Sequence, residues 1–316
     1  MANAFLLFKE KVVGKAVLGW NGGVIVSALG WGILLVVAAT LAIALAGRMM
    51  QRKLRRMRDD HALRPTLWNR FYALDWGDTA TNNYGFAPAD ADDRTPDRFQ
   101  RQLYREMWKA LQDSGKEFAA GAKLLEVSCG RGGGLVSFLD AAGPGRFEAT
   151  GLDVAATAVS YCQRQWTRRD GVSFVEGSAM ALPFPDTSID VLLNVEASND
   201  YPDRQLFFAE VRRVLKPDGL FLYADTEKAK NAGRMARELS EAGFRFELRD
   251  ITANVVEACR TDSPRRRAVI AERAPLPARL LLRKQLGNYA AVEGSDKFRH
   301  FESGQRRYHL TAASPA

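Results

Sequence analysis

Glu126 and Asp153 stand on either side of a turn made almost entirely of glycine, Ser128-Cys129-Gly130-Arg131-Gly132-Gly133-Gly134. Such a turn costs conformational entropy and offers no side-chain packing, so it persists where a positive φ or a close approach of bare backbone is required. The chemistry this set can do is recognition of a nucleotide-like ligand. The backbone of the turn would lie against the ligand, and an acid at the end of the next strand would accept hydrogen bonds from ribose hydroxyls. The elements that must position these groups are legible around them. An apolar run at 123–127 leads in, a helix-compatible run at 135–142 leads out, and Phe147-Glu148-Ala149-Thr150-Gly151-Leu152-Asp153 reads as a second strand ending in the acid. Strand, glycine turn, helix, strand and terminal acid make up the nucleotide-binding half of a parallel α/β sheet. The GxGxxG spacing of dinucleotide sites is absent, and an acid precedes the glycines; both favour S-adenosylmethionine over NAD.

The segment resembles the first motif of class I S-adenosylmethionine-dependent methyltransferases, and later segments agree in order and spacing. Val172-Ser173-Phe174-Val175-Glu176-Gly177-Ser178-Ala179 stands for the third strand and its adenine-side loop, and Leu182-Pro183-Phe184-Pro185-Asp186 approaches a fourth strand at 189–195. A helix at 207–215 carries Phe208, Val211, Val214 and Leu215 on one face. The turn Lys216-Pro217-Asp218-Gly219 then enters a strand at 220–224. The fold implied is α/β, Rossmann-like: a mostly parallel seven-stranded sheet with helices on both faces, a helical N-terminal cap and a single transmembrane helix.

From residue 64 to the end the chain is similar to small-molecule methyltransferases of the mycobacterial phthiotriolone and fatty-acid O-methyltransferase type. The tokens are Asn82-Asn83-Tyr84-Gly85-Phe86, Asn194-Val195-Glu196-Ala197-Ser198, Tyr201-Pro202, Leu222-Tyr223-Ala224-Asp225, a strand and loop at 250–256, and Ser303-Gly304 with Arg307-Tyr308-His309-Leu310. The resemblance implies that Glu126, Ser128, Gly130 and Gly132 shape the methionine and ribose side of the cofactor. By the same resemblance Asp153 holds the ribose hydroxyls, Ser178 and Ala179 edge the adenine, and Asn194 contributes from the end of the fourth strand. Tyr84 would close over the cofactor near the sulfonium; with Glu196, Asn199, Asp200 and Tyr201 it would face the methyl acceptor.

Three departures bear on the chemistry. Where family members commonly carry a histidine after Glu-Ala-Ser, this chain has Asn199-Asp200; Ser178 replaces an adenine-binding aspartate; and Ser128 replaces the first glycine, so its φ must be negative or strained. Methyl transfer from a sulfonium asks the protein chiefly to align nucleophile, carbon and sulfur, worth about 7–11 kcal/mol. A base is needed only for a protonated nucleophile, where it adds about 10²–10⁴-fold. Loss of the histidine therefore favours an already acidic nucleophile, or Asp200 as substitute base; His300 in the lid is a further candidate.

Composition sets the context. The chain has 316 residues and a net charge of +8. Its three cysteines, Cys129, Cys162 and Cys259, show neither disulfide nor zinc spacing, and no metal site is expected. No charged residue occurs from 16 to 47, and 24–46 is almost wholly apolar, long enough to cross a bilayer. A cleaved signal peptide, a core helix and an interfacial helix compete with an uncleaved anchor. The apolar run exceeds a signal-peptide core, and export would separate the enzyme from its cofactor, so the anchor is preferred. Arg48, Arg52, Lys53, Arg55, Arg56 and Arg58 outweigh Lys9, Lys11 and Lys15, which places the catalytic part in the cytoplasm. The basic surplus thereby has a membrane explanation, and no module for nucleic acid is legible. The layout expected is an N-terminal segment and transmembrane helix at 1–47, a basic linker at 48–63, a helical cap at 64–118 and a methyltransferase domain at 119–316. A lid at about 257–297 combines Arg265, Arg266 and Arg267 with Leu276, Leu280, Leu281 and Leu282, a pattern suited to anionic headgroups. The reading is a membrane-anchored methyltransferase acting on oxygen of a lipophilic acceptor. Carbon or nitrogen methylation, or a catalytically inactive tethered fold, are the alternatives, and no oligomeric state is legible.

Overall fold

A computed structural model of the chain describes residues 22–60, 62–166 and 168–316. Two compact units are present, Met1–Lys53 and Leu54–Ala316. Lys9, Lys11, Lys15 and His61 lie outside the described residues.

Helix α1, Gly22–Asp59, holds the first unit and runs past its end. At 1.5 Å per residue its 38 residues extend about 57 Å, more than a bilayer's hydrocarbon thickness. Its stretch Ile33–Met57 is long and apolar enough to cross a membrane, with a mean hydropathy of 2.2 and only 6% of its most apolar window buried. The expected basic linker is instead helix: Arg48, Arg52, Lys53, Arg55 and Arg56 continue α1 without a break.

In the second unit, α2 (Arg64–Tyr72) and α3 (Arg98–Asp113) precede β1 (Ala122–Val127), α4 (Gly133–Ala142), β2 (Phe147–Asp153), α5 (Ala156–Trp166), β3 (Val172–Glu176) and β4 (Ile189–Val195). There follow α6 (Arg204–Val214), β5 (Leu215–Lys228), α7 (Arg234–Glu241), β6 (Phe244–Arg245), β7 (Arg249–Asp250), α8 (Thr252–Arg273), α9 (Leu276–Leu281), α10 (Arg283–Tyr289), α11 (Asp296–Glu302) and β8 (Arg306–Pro315). The sheet order is β3-β2-β1-β4-β5-β8-β6, with β7 also paired to β8. Strands β1 to β5 are parallel and β8 is antiparallel to β5. The expected seven-strand layout is present with its outermost strand broken into two short pieces, β6 and β7.

Strand alternation builds the two layers. Leu124, Leu193 and Leu222 enter one core cluster with Leu103 and Phe138, whereas Leu125, Leu192 and Phe221 enter the other with Phe207, Phe208 and Val211. The turn at 216–219 is a bulge within β5: Ile189 pairs with Leu215 and Val191 with Leu220. Where a loop was expected after Asp250, Thr252 starts the 22-residue helix α8, and the lid region is helical through α9, α10 and α11. The strand order reverses between β1 and β4, the position where ligands bind in open α/β sheets.

Candidate active site

At the carboxyl ends of β1 and β4 the side chains form one braced group. Ser128 follows β1 with φ +62°, so of the two alternatives it takes the strained one, and its Oγ lies 2.7 Å from the Tyr201 hydroxyl. Asn194 Nδ2 donates to the same hydroxyl at 2.8 Å and to the Val127 carbonyl at 3.0 Å. Tyr201, expected to face the acceptor, therefore braces β1 against β4. Asp153 Oδ2 accepts from the Gly130 amide at 2.9 Å, and Oδ1 from that of Ala155 at 2.9 Å. Gly130 at φ +55° supplies the left-handed turn that aims this amide. Burial pushes the Asp153 carboxyl above its ordinary range. The loop after β3 is tied to it, because the Gly177 amide donates to the Asp153 carbonyl at 3.0 Å. There Ser178 Oγ accepts from the Met180 amide at 3.1 Å, and Ala179 is buried in the second core cluster.

The cap supplies residues that sequence reasoning missed. Tyr104 on α3 donates its hydroxyl to Glu126 Oε1 at 2.6 Å, and burial pushes the Glu126 carboxyl up to about 8. Tyr104 and its neighbour Leu103 are buried in the same core cluster. Tyr72, at the end of α2, lies over the turn: a Cβ on Gly130 would come 2.7 Å from its hydroxyl. Asn69 holds α2 in place, since its carbonyl accepts from Thr157 Oγ1 at 2.9 Å and its Oδ1 from the Thr157 amide at 3.0 Å. The later glycines meet protein. A Cβ on Gly134 would fall 2.0 Å from Tyr104 Cζ, so part of the glycine run exists to seat the cap.

On the other flank, Glu196 has φ +53° and its Oε1 accepts from the Tyr84 amide at 2.7 Å. Burial pushes its carboxyl up to about 8. Tyr84 packs on Phe301, ring centroids 5.3 Å apart, and its hydroxyl accepts from Lys297 Nζ at 2.5 Å. Tyr289 lies beside them, joined to Asn82 through its hydroxyl at 2.7 Å. Asp200 is near enough to Lys297 and Tyr289 to act on both electrostatically. Asn199 is turned elsewhere: its Nδ2 donates to Asp225 Oδ1 at 2.6 Å and to the Thr226 carbonyl at 2.8 Å. His300 is exposed on α11, so the lid presents Lys297 to this flank instead of the histidine.

Two buried atoms test whether a cofactor fits. Glu126 Oε2 and Asn194 Oδ1 have no hydrogen-bond partner, although buried acceptors are nearly always paired. Both sit at the point where the strand order reverses, beside Asp153 and the left-handed turn. A ligand carrying an ammonium and hydroxyls satisfies that donor demand, so the residues present fit S-adenosylmethionine. That molecule, when bound, supplies a methyl group made electrophilic by a sulfonium.

Residues 125–223 match the methyltransferase domain family. The chain is 34% identical over 224 residues to the phthiotriol/phenolphthiotriol dimycocerosates methyltransferase of Mycobacterium tuberculosis, covering 71% of this chain and 78% of that protein. It is 37% identical over 145 residues to the fatty-acid O-methyltransferase of Mycolicibacterium smegmatis, 46% of this chain and 50% of that one. Its fold is shared with geranyl diphosphate methyltransferase solved with S-adenosylmethionine, at TM-score 0.55 and 16% identity, covering 75% of this chain and 99% of that one. The chain belongs to the class I methyltransferases of this type; it is an S-adenosylmethionine-dependent methyltransferase.

Proposed function

We propose that this enzyme is anchored in a membrane by α1, faces the cytoplasm, and methylates an oxygen atom of a lipophilic small molecule. The observation that carries the reading is the pair of unpartnered acceptors, Glu126 Oε2 and Asn194 Oδ1, flanked by Asp153 on one side and by Glu196 and Tyr84 on the other. Glu126 takes the cofactor's ammonium, Asp153 its ribose hydroxyls, and Ser178 with Ala179 the edge of its adenine. Ser128, Gly130 and Gly132 bring backbone against it, and Asn194 Oδ1 takes a donor from it. Tyr84, Glu196 and Asp200 border the acceptor. Asn199 acts from behind, fixing the loop through Asp225 and Thr226.

The named substrates of the two relatives, a dimycocerosate lipid and a fatty acid, support a lipophilic acceptor. So does the lid: Leu276 and Leu280 on α9 are 58% and 72% exposed, beside Arg279, Arg283 and Lys284. Exposed leucines among cations suit the headgroup boundary of an anionic membrane, where each cation near the surface contributes about 1 kcal/mol. The basic end of α1 favours the cytoplasmic orientation. Incubating membranes that hold the full chain with labelled S-adenosylmethionine tests the whole reading: label should enter a lipid-soluble product through an oxygen. Calorimetry should give cofactor binding that Asp153→Ala removes, and absence of binding to the intact protein would sink the proposal.

A further inference from the structure

Lys297 is a half-buried cation that forms no ion pair among the described residues. On α11 its ammonium lies 2.5 Å from the Tyr84 hydroxyl, 5.0 Å from the centroid of that ring and 6.0 Å from that of Tyr289. Among the described residues it makes no ion pair within 4.0 Å, and Tyr84 uses one of its three N–H bonds. The charged and titratable groups around it are Arg306 from β8, Glu196 from the end of β4, Asp200, and the Cys259 thiol from α8. Arg306 is itself short of partners: one nitrogen donates to Thr226 Oγ1 at 2.7 Å and its buried Nε has none.

The charge balance at neutral pH follows from burial. Desolvation first, and Arg306 second, lower the Lys297 ammonium to about 8, while burial raises the Glu196 carboxyl to about 8. Near pH 7 the lysine is then mostly charged and the glutamic acid mostly neutral. Lys297 and Arg306 are thus two neighbouring cations beside a neutral Glu196, and Asp200 acts on Lys297 without forming an ion pair among the described residues, so this partly dry place accepts an added anion. A cation in such a place is stabilised when an anion joins it. With its oxygen accepting from Lys297, the Tyr84 hydroxyl keeps its own proton free to donate, and the adjacent ammonium makes it a stronger donor.

We propose that Lys297 and Tyr84 bind the ionised head of a lipophilic carboxylate, one donor to each oxygen, and hold it for methylation. The inference rests on the methyltransferase reading and narrows its acceptor. It also accounts for the missing histidine, because a carboxylate needs no base. The new O–C bond forms as the C–S bond breaks with its electron pair left on sulfur. Carboxylate and sulfonium charges cancel into a neutral ester and a thioether, and no proton has to move.

The test uses the full chain in lipid nanodiscs, with palmitate and hexadecanol as matched probes. At pH 7 palmitate should bind about ten- to a hundredfold more tightly, the worth of one or two charge-assisted hydrogen bonds. Lys297→Met should abolish that preference and Lys297→Arg should keep most of it, with cofactor affinity unchanged in both. In the wild type the preference should fall as pH rises above about 8, where Lys297 loses its charge and Glu196 gains one. Equal binding of the two probes by protein that still binds S-adenosylmethionine overturns this inference alone, whereas loss of cofactor binding in the wild type overturns the methyltransferase reading itself. Methylation of hexadecanol that rises with pH through about 8 and vanishes in Lys297→Met also overturns it, making Lys297 a base. Should Lys297→Met fail to fold, the wild-type pH profile decides: a preference that stays flat above pH 8 refutes the assignment.

Discussion

Replacing Gly134 by alanine tests whether the glycine run seats the cap. The new Cβ would lie 2.0 Å from Tyr104 Cζ and 2.4 Å from its hydroxyl oxygen. Ordinary contact begins near 3.4 Å, so the ring must retreat by about 1.4 Å. That movement breaks the 2.6 Å hydrogen bond to Glu126, whose other oxygen already lacks a partner. Overpacking costs about 1–3 kcal/mol, and leaving the buried carboxyl without a donor adds about 1–3 kcal/mol. The sum, about 2–6 kcal/mol, lowers the Tm of a unit this size by roughly 5–20 °C. Thermal unfolding of the solubilised full chain measures it, with Tyr104→Leu as the second background. There the alanine meets a smaller, movable side chain, and a coupling of about 1–3 kcal/mol is expected between the two changes. An equal penalty for Gly134→Ala in both backgrounds would refute the argument that Tyr104 is what the glycine accommodates.

Other predictions follow from the same contacts. Burial raises the folded pKa values of Glu126 and Glu196 to about 8 from the ordinary 4.5, so the unfolded chain releases their protons first as pH rises. Stability of the ligand-free protein should therefore be full below about pH 4.5 and decline toward pH 8 for these two groups, and Glu126→Gln should flatten the slope of Tm against pH while weakening cofactor binding. A Tm that climbs across that interval in the variant series would contradict it. At Ser128, alanine keeps the left-handed strain and loses the Tyr201 contact, whereas glycine relieves the strain. Unfolding should show Ser128→Ala less stable than Ser128→Gly by about 1 kcal/mol. Arg204 and Glu238 form an ion pair with side chains only 6% and 7% exposed, and Arg204 also donates to Asn199 Oδ1 at 3.3 Å. Because Arg234 also pairs with Glu238 at 2.6 Å, Arg204→Met should cost about 1–3 kcal/mol in denaturant unfolding, and a loss below about 1 kcal/mol would show the pair to be dispensable.

The motif order from Glu126 to the strand ending at Asp153 was legible because each signal is local. Apolar alternation makes a strand, a positive φ calls for glycine, and an acid at a strand end marks a ribose site within a few residues. The same locality explains the errors. The 216–219 turn was read from composition, but strand pairing absorbs it as a bulge once Val191 finds Leu220. Asn199 follows Ser198 in sequence and was assigned to the acceptor, yet Asp225, buried on the next strand, captures its amide.

By itself the sequence determined the fold class, the glycine turn after the first strand, the acid that ends the second and an apolar helix able to cross a membrane, all of them consequences of short-range periodicity and backbone preference. Only the tertiary structure decided which side chains complete the site. Tyr104 reaches Glu126 and Tyr72 covers Gly130 because two cap helices dock on the sheet. Lys297 meets Tyr84 across 213 residues because α11 packs against the cap segment. A lysine on a short, charge-balanced helix carries no signal of its own. Partial burial beside Tyr84 and Arg306 is what sets Lys297 apart, and burial is a property of the packed chain.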